Sequence, residues 1–190
     1  DGRLLPADRF ARYVAELDGL VGSWVVQGGR RLTYGEFWVA LTFLAFAREQ
    51  VDVAVVEVGA GGRFDLTNVL RPEVAVITSV GLDHVRTLGP TLLDIAWHKA
   101  GIIKAGRPAV TTVTEPGPLA VIRREAEIQA APLDVLYPGQ DYAALDCDEQ
   151  GTRMLDLRRG RAYRIALPGR FQAPNAAVAI AAVEKLGHLP

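Results

Sequence analysis

The sequence predicts an α/β fold: a mostly parallel sheet flanked by helices, with a small antiparallel region near residues 133–167. Three observations predict it. Short β-branched runs at Val53–Val56, Val74–Thr78 and Pro108–Val113 stand between stretches of helical period. These runs are β-branched and uncharged rather than alternating with charged residues, the mark of strands covered on both faces. From Leu133 onward, Gly, Pro and Asp divide the chain into short segments, as tight antiparallel connections require.

The elements follow in order. Phe10, Tyr13, Val14 and Leu17 recur at helical spacing over 7–19, with Gly19 as the stop. Thr33 with Glu36 three residues on forms a capping box, and predicts a helix from Tyr34 to about Glu49. That helix is apolar on most faces (Phe37, Trp38, Leu41, Phe43, Leu44, Phe46), which predicts burial or a place under another domain. The strand Val53–Val56 ends at Glu57 and runs into the Gly59, Gly61, Gly62 loop. The strand Val74–Thr78 ends at Ser79, Gly81, Asp83 and His84. Helices are predicted from Thr91 to about Ala100, from Pro118 to about Gln129, and from Gln172 to about Leu186. The four segments around 133–137, 142–147, 152–158 and 162–167 read as antiparallel edge strands. The alternation predicts right-handed βαβ crossovers in one domain.

Composition narrows the function. The 190 residues are 49% hydrophobic and 23% charged, with a net charge of -1. Such a chain builds a core, and it lacks the basic field that draws nucleic acid or an anionic membrane. One cysteine, Cys147, excludes an internal disulfide and a thiolate metal cluster. No apolar run approaches the roughly 20 residues of a membrane helix, and no signal peptide opens the chain. A cytoplasmic setting is the expectation. The only lysines are Lys99, Lys104 and Lys185, which makes each of them worth inspecting.

Polar residues gather at the predicted strand ends, where open parallel sheets bind their ligands. Glu57 follows the first strand; Asp83 and His84 follow the second; Lys99 and Lys104 flank Ala100-Gly101-Ile102-Ile103. A carboxylate at the end of an apolar strand is the arrangement that holds Mg²⁺ in nucleotide-hydrolysing folds. The same Glu serves equally as a solvated cap, and His84 as a structural hydrogen-bonder. Gly59-Ala60-Gly61-Gly62-Arg63 misses the dinucleotide fingerprint, because Phe64 stands where the third glycine belongs. It reads as a tight turn or as a phosphate loop. No lysine is preceded by glycine, so the chain contains no P-loop.

Taken together, five segments resemble the folylpolyglutamate synthase/dihydrofolate synthase family of the Mur ligase superfamily. They are Thr33-Tyr34-Gly35-Glu36-Phe37 with Thr42-Phe43; Glu57-Val58-Gly59-Ala60-Gly61-Gly62-Arg63-Phe64-Asp65-Leu66-Thr67-Asn68; Ile77 to His84; Lys99 to Lys104; and Gly169-Arg170-Phe171-Gln172 with Asn175-Ala176. The resemblance spans 1–190 in register. It implies a P-loop NTPase-like central ATP-binding domain, here incomplete: the family's P-loop, its Ser-Pro-His-Leu segment and its C-terminal domain lie outside the chain. Phe171 stands where His is common, and Ala60 where Leu is common.

The resemblance implies an ATP-dependent amide ligase of folate metabolism, which adds L-glutamate to dihydropteroate or folates through an acyl phosphate. Its partners would be these small molecules and ATP, with the parent protein monomeric. Glu57 would hold the Mg²⁺ shared with the ATP phosphates, and His84 a second Mg²⁺ near the acyl phosphate. Lys99 would be carboxylated by CO₂ and become an anionic ligand. Lys99 and His84 are the implied catalytic residues, and Gln172, Asn175 and Asn68 the implied nucleotide contacts. Thr33–Phe43 would lie near the folate. A noncatalytic binding module and a peptidoglycan-precursor Mur ligase are the alternatives. With no phosphate cradle of its own, the purified 190-residue chain is expected to release no phosphate from ATP, which a phosphate-release assay checks.

Overall fold

The computed structural model describes residues 4–187 and divides into two compact units, Asp1–Gly59 and Ala60–Pro190. The first unit is built on two helices, α1 (Ala7–Val26) and α2 (Tyr34–Arg48). Tyr13 and Leu17 of α1 and Leu41 of α2 form its small core. The capping box at the start of α2 forms as the spacing predicts. Thr33 accepts from the Glu36 amide at 3.3 Å, and Glu36 accepts from the Thr33 amide at 2.8 Å. Arg30 pairs with the same Glu36 carboxylate, and with the Thr33 bonds holds its pKa down to about 2.

Two expectations fail in this unit. Helix α1 runs through Gly19, because an interior glycine costs only about 1 kcal/mol against alanine, and ends instead at Gly28. There φ is +90°, Gly28 donates to Val25 O and Gly29 to Trp24 O, the paired bonds of a Schellman stop. The Val53–Val56 run belongs to neither sheet, and Val55 is 91% exposed. A β-branched run becomes a strand only when a neighbour takes up its backbone N–H and C=O groups, and the described residues give it no ladder. Of the two alternatives for α2, burial is met within this unit only at Leu41, while Tyr34 and Trp38 are exposed.

The second unit carries the α/β architecture. Strands β1 (Ala75–Ile77), β2 (Ala109–Thr111) and β3 (Leu133–Val135) form a parallel sheet in the order β1-β2-β3. The crossovers are α3 (Val85–Leu88) with α4 (Leu92–Ala100), and α5 (Pro116–Ile128). Thr91 and Asp94 form a second capping box that starts α4. Strands β4 (Tyr142–Asp148), β5 (Gly151–Asp156) and β6 (Arg161–Ile165) form a separate antiparallel meander, and α6 (Gln172–Leu186) closes the described chain. The expectation at 133–137 is corrected: this strand joins the parallel sheet. The α5 crossover precedes it, and a strand reached through a helical crossover returns parallel.

Alternation on the short strands builds two cores. Ala75, Ile77 and Ala109 face Ala100, Ile103, Ile122 and Ala126, the layer of α4 and α5. Val110 faces the other way, into Met154 of the meander and Ala173, Ala177 and Val178 of α6. Small alanines let α6 lie close on the sheet.

Arg158, in the turn between β5 and β6, ties the meander to the parallel sheet. Its Nη1 and Nη2 donate to Asp134 of β3 at 3.0 and 2.9 Å, and its Nε donates to Asp141 at 2.7 Å. These bonds hold the Asp134 carboxyl below its ordinary range, with Lys185 adding to the effect and burial opposing it. A depressed carboxylate contributes stability that is complete above the ordinary carboxylate pKa of about 4 and is lost as pH falls through the lowered value. Arg158→Ala is expected to cost about 1–2 kcal/mol near neutral pH and to flatten the acid side of the stability profile, measured as urea midpoints from about pH 7 down to pH 3.

Candidate active site

The glycine-rich string folds as a clasp on the last turn of α4. Arg63 N donates to His98 O at 2.7 Å. This approach needs bare backbone on both sides. A Cβ on Gly62 would stand 2.7 Å from Ile102 Cγ2 and 2.9 Å from His98 O, and one on Gly101 would stand 2.6 Å from Arg63 Cα. Gly62 also has φ +147°, where side chains are disfavoured. A Cβ on Gly61 would meet Leu88 at the end of α3 at 2.7 Å and His98 Cβ at 3.2 Å. The loop therefore meets α3, whose N-cap is His84, and α4, which carries Lys99.

Polar side chains lock the loop internally. Asp65 accepts from Thr67 N at 2.9 Å, from Thr67 Oγ1 at 2.6 Å and from Ala60 N at 3.1 Å, which caps the short 3₁₀ turn Leu66–Val69. Asn68 donates its amide to Arg63 O at 2.9 Å and Gly101 O at 3.2 Å, and Lys104 Nζ donates to Asn68 O at 3.2 Å. The Asn68 amide is thus engaged in bridging the loop to the residue after α4.

Arg63 does more than its place in the glycine string announces. Its guanidinium lies 4.2 Å from the Trp97 ring centre, its Nε donates to Trp97 O at 3.3 Å, and its Nη2 donates to Glu125 Oε2 at 2.5 Å. Phe64, Trp97 and His98 pack edge to face at 5.0–5.8 Å between centroids. Beside them opens a cavity of about 550 Å³ lined in part by Leu88, Pro90, Leu93, Trp97 and His98. Sequence reasoning missed Trp97 and Glu125. The Arg123-Arg124-Glu125-Ala126-Glu127 stretch looks like a solvated helix face, and carries no signal that Glu125 turns inward.

His84 has a left-handed backbone, φ +51° and ψ 32°, and its side chain is exposed. Such a conformation costs about 1–3 kcal/mol in a non-glycine residue and concentrates at functional sites. The Asp83 carboxylate supports the turn by accepting from His84 N at 2.7 Å, and stands 3.7 Å from His84 Nε2. Lys99 is half-buried, and among the described residues its ammonium forms no ion pair. Gln172 and Asn175 sit together on the first turn of α6, where the Asn175 side-chain amide donates to Gln172 Oε1 at 3.2 Å and Gln172 N donates to Gly169 O. Glu57 is exposed, within the first unit.

No group of three or more His, Cys, Asp and Glu side chains suited to a metal occurs among the described residues. Mg²⁺ does not require one: it takes one or two protein oxygens and completes its shell with water and substrate phosphates. The exposed Asp83–His84 pair fits an open site of that kind. Lys99 as an ammonium repels a cation, and fits only once its amine carries a carboxylate.

The Mur ligase middle domain family matches residues 12–183. The chain belongs to that family. A dihydrofolate synthase/folylpolyglutamate synthase of Bacillus subtilis is 45% identical over 155 residues, which is 80% of this chain and 36% of that protein. A folylpolyglutamate synthase–AMPPCP–folate complex superposes with a TM-score of 0.84 at 34% identity, covering 96% of this chain and 46% of that one. A Mycobacterium tuberculosis folylpolyglutamate synthase complexed with ADP and AMPPCP gives 0.81 at 35% identity, over 98% and 44%. The chain spans less than half the length of these family members. Among the described residues no helix is long and apolar enough to cross a membrane.

Gly62→Ala is expected to cost about 1–3 kcal/mol through the backbone collision. Gly106→Ala, at positive φ but in open space, should cost about 1 kcal/mol. Denaturant midpoints of the two variants check the order.

Proposed function

We propose that the protein of which this chain is a part is an ATP-dependent ligase that adds L-glutamate to dihydropteroate, to folates, or to both. The observation that carries the reading is the likeness over nearly the whole chain to a folylpolyglutamate synthase–AMPPCP–folate complex. The relatives named above are folate ligases, which favours folates over peptidoglycan precursors.

A carboxylate is a poor electrophile, because its resonance and charge both repel an amine. In the proposed reaction a carboxylate oxygen of the folate attacks the γ-phosphorus of ATP, and the bond to ADP breaks. The acyl phosphate then has a leaving group. The glutamate amine attacks its carbonyl carbon, phosphate leaves with the carbon–oxygen bond electrons, and the amine proton is released. Mg²⁺ would supply the positive charge that lets these anions meet.

The chain's own residues are assigned as follows. Glu57 is the carboxylate for the ion shared with the ATP phosphates. His84, its imidazole presented by the left-handed turn and its neighbour Asp83, holds the second ion. Lys99 in its neutral form attacks CO₂, forming an N–C bond and losing a proton, so that a cation becomes an anionic oxygen ligand. Among the described residues Lys99 is half-buried and forms no ion pair, which supports this role. Gln172 and Asn175 orient the nucleotide. For Asn68, bonded to Arg63 O and Gly101 O, the role is to hold the loop rather than to touch the nucleotide. The same reading places the parent in the cytoplasm as a monomer.

In the full-length parent, Glu57→Ala and Lys99→Met should each reduce kcat by about a hundredfold or more, while folate binding changes far less. Turnover and equilibrium folate binding measure the split, and near-wild-type rates in both variants overturn the assignment. Competition between folates and nucleotide-linked muropeptides for the same protein checks the substrate class.

A further inference from the structure

We propose that Glu125 is a positioning residue of this site, acting through Arg63 to fix the Gly61–Arg63 loop on the turn of α4 that carries Lys99. The proposal rests on the ligase reading above. Glu125 lies on α5, outside every motif that carries the family resemblance, and is buried. Both of its carboxylate oxygens are engaged: Oε2 by Arg63 Nη2 at 2.5 Å, and Oε1 by Gln129 Nε2 at 3.0 Å. Arg63 in turn stands over the Trp97 ring, bonds Trp97 O, and through its own amide bonds the carbonyl of His98, the residue before Lys99. The chain of contact runs from α5 through one side chain to the backbone turn that sets the Lys99 direction.

Stability alone does not explain the pair. A buried ion pair is commonly no more stabilising than well-packed apolar residues of the same volume, because desolvation offsets the attraction. What the pair adds is direction. A planar guanidinium gripped at its end by a carboxylate and on its face by an indole has one orientation. Its backbone is then fixed where Gly62 and Gly101 allow contact. Site geometry is sensitive to displacements of about 1 Å, and the loop has bare glycines on both sides of the contact, so an external restraint matters here.

The test uses the full-length protein and two readouts. Glu125→Gln keeps volume and an acceptor oxygen but removes the charge. Hydrogen exchange read by mass spectrometry should accelerate about tenfold in peptides from 60–68 and 97–103, with peptides from 142–156 unchanged. Arg63→Lys, which keeps a cation but loses the planar fork, should give the same pattern, and Glu125→Asp should recover part of the protection. With Glu125→Gln, kcat should fall about tenfold while KM for glutamate stays within about threefold. Unchanged exchange at 60–68 overturns the proposal. So does a uniform rise along the chain, which would make Glu125 a general stability residue, and so does loosened exchange with kcat intact. If the wild-type protein ligates no folate, the ligase reading falls, while the exchange pattern still decides whether Glu125 holds the loop.

Discussion

The candidate site in the second unit depends on one contact between two stretches of backbone, the 2.7 Å bond from Arg63 N to His98 O. The carbonyls at a helix end lose their regular intrahelical partners, and here an incoming loop gives one of them, His98 O, a shorter bond than the 3.3 Å contact from the Gly101 amide. The contact exists because side chains are missing where they would collide, at Gly62 and Gly101. Once the backbones touch, the rest follows by reach. Asn68 spans both strands of the contact, Lys104 bonds the turn that Asn68 begins to close, and Arg63 emerges directly over Trp97. Fixing the loop also fixes what lies beside it, namely Leu88 of α3, one turn from His84, and the α4 turn that bears Lys99.

Where local chemistry decides the structure, the sequence was legible. The capping box formed at Thr33–Glu36, the helix expected from Thr91 begins there, and α6 begins at Gln172 as its pattern predicts. The two strands at 75–77 and 109–111 lie inside the predicted runs and pair in parallel. What failed depends on neighbours that local pattern does not describe. Val53–Val56 has strand composition but no ladder among the described residues. Leu133–Val135 looks like the strands that follow it, and only the preceding crossover makes it parallel. Gly19 resembles a stop, yet the chain closes its helix where positive φ and two carbonyl bonds coincide at Gly28.

The candidate site divides in the same way. Motif spacing marked His84, Lys99 and the glycine string, and the structure brings the string into backbone contact with the α4 turn that carries Lys99, at His98 O. The string itself supplied no hint that Asn68 and Asp65 spend their polar atoms inside the loop, or that Arg63 finds a buried carboxylate 62 residues away. A lone Glu in a charged helical stretch has the same appearance whether it faces water or a guanidinium. Only the packing of α5 against α4 turns Glu125 inward.

The use of cations gives Lys99 its meaning. Among the described residues most ion pairs use arginine: Arg9, Arg48, Arg63, Arg107 and Arg158 each bind a carboxylate. Of the three lysines, Lys185 pairs with Asp134 and Lys104 bonds a carbonyl, whereas Lys99 has no ion pair among the described residues. Arginine would serve any purely electrostatic purpose at that position, and serve it better, since its charge is permanent and its donors are five. What arginine cannot do is give up a proton and attack an electrophile. Lys99 is half-buried and forms no ion pair among the described residues, so the proposed reading asks of it a chemistry that a guanidinium in the same place would not supply.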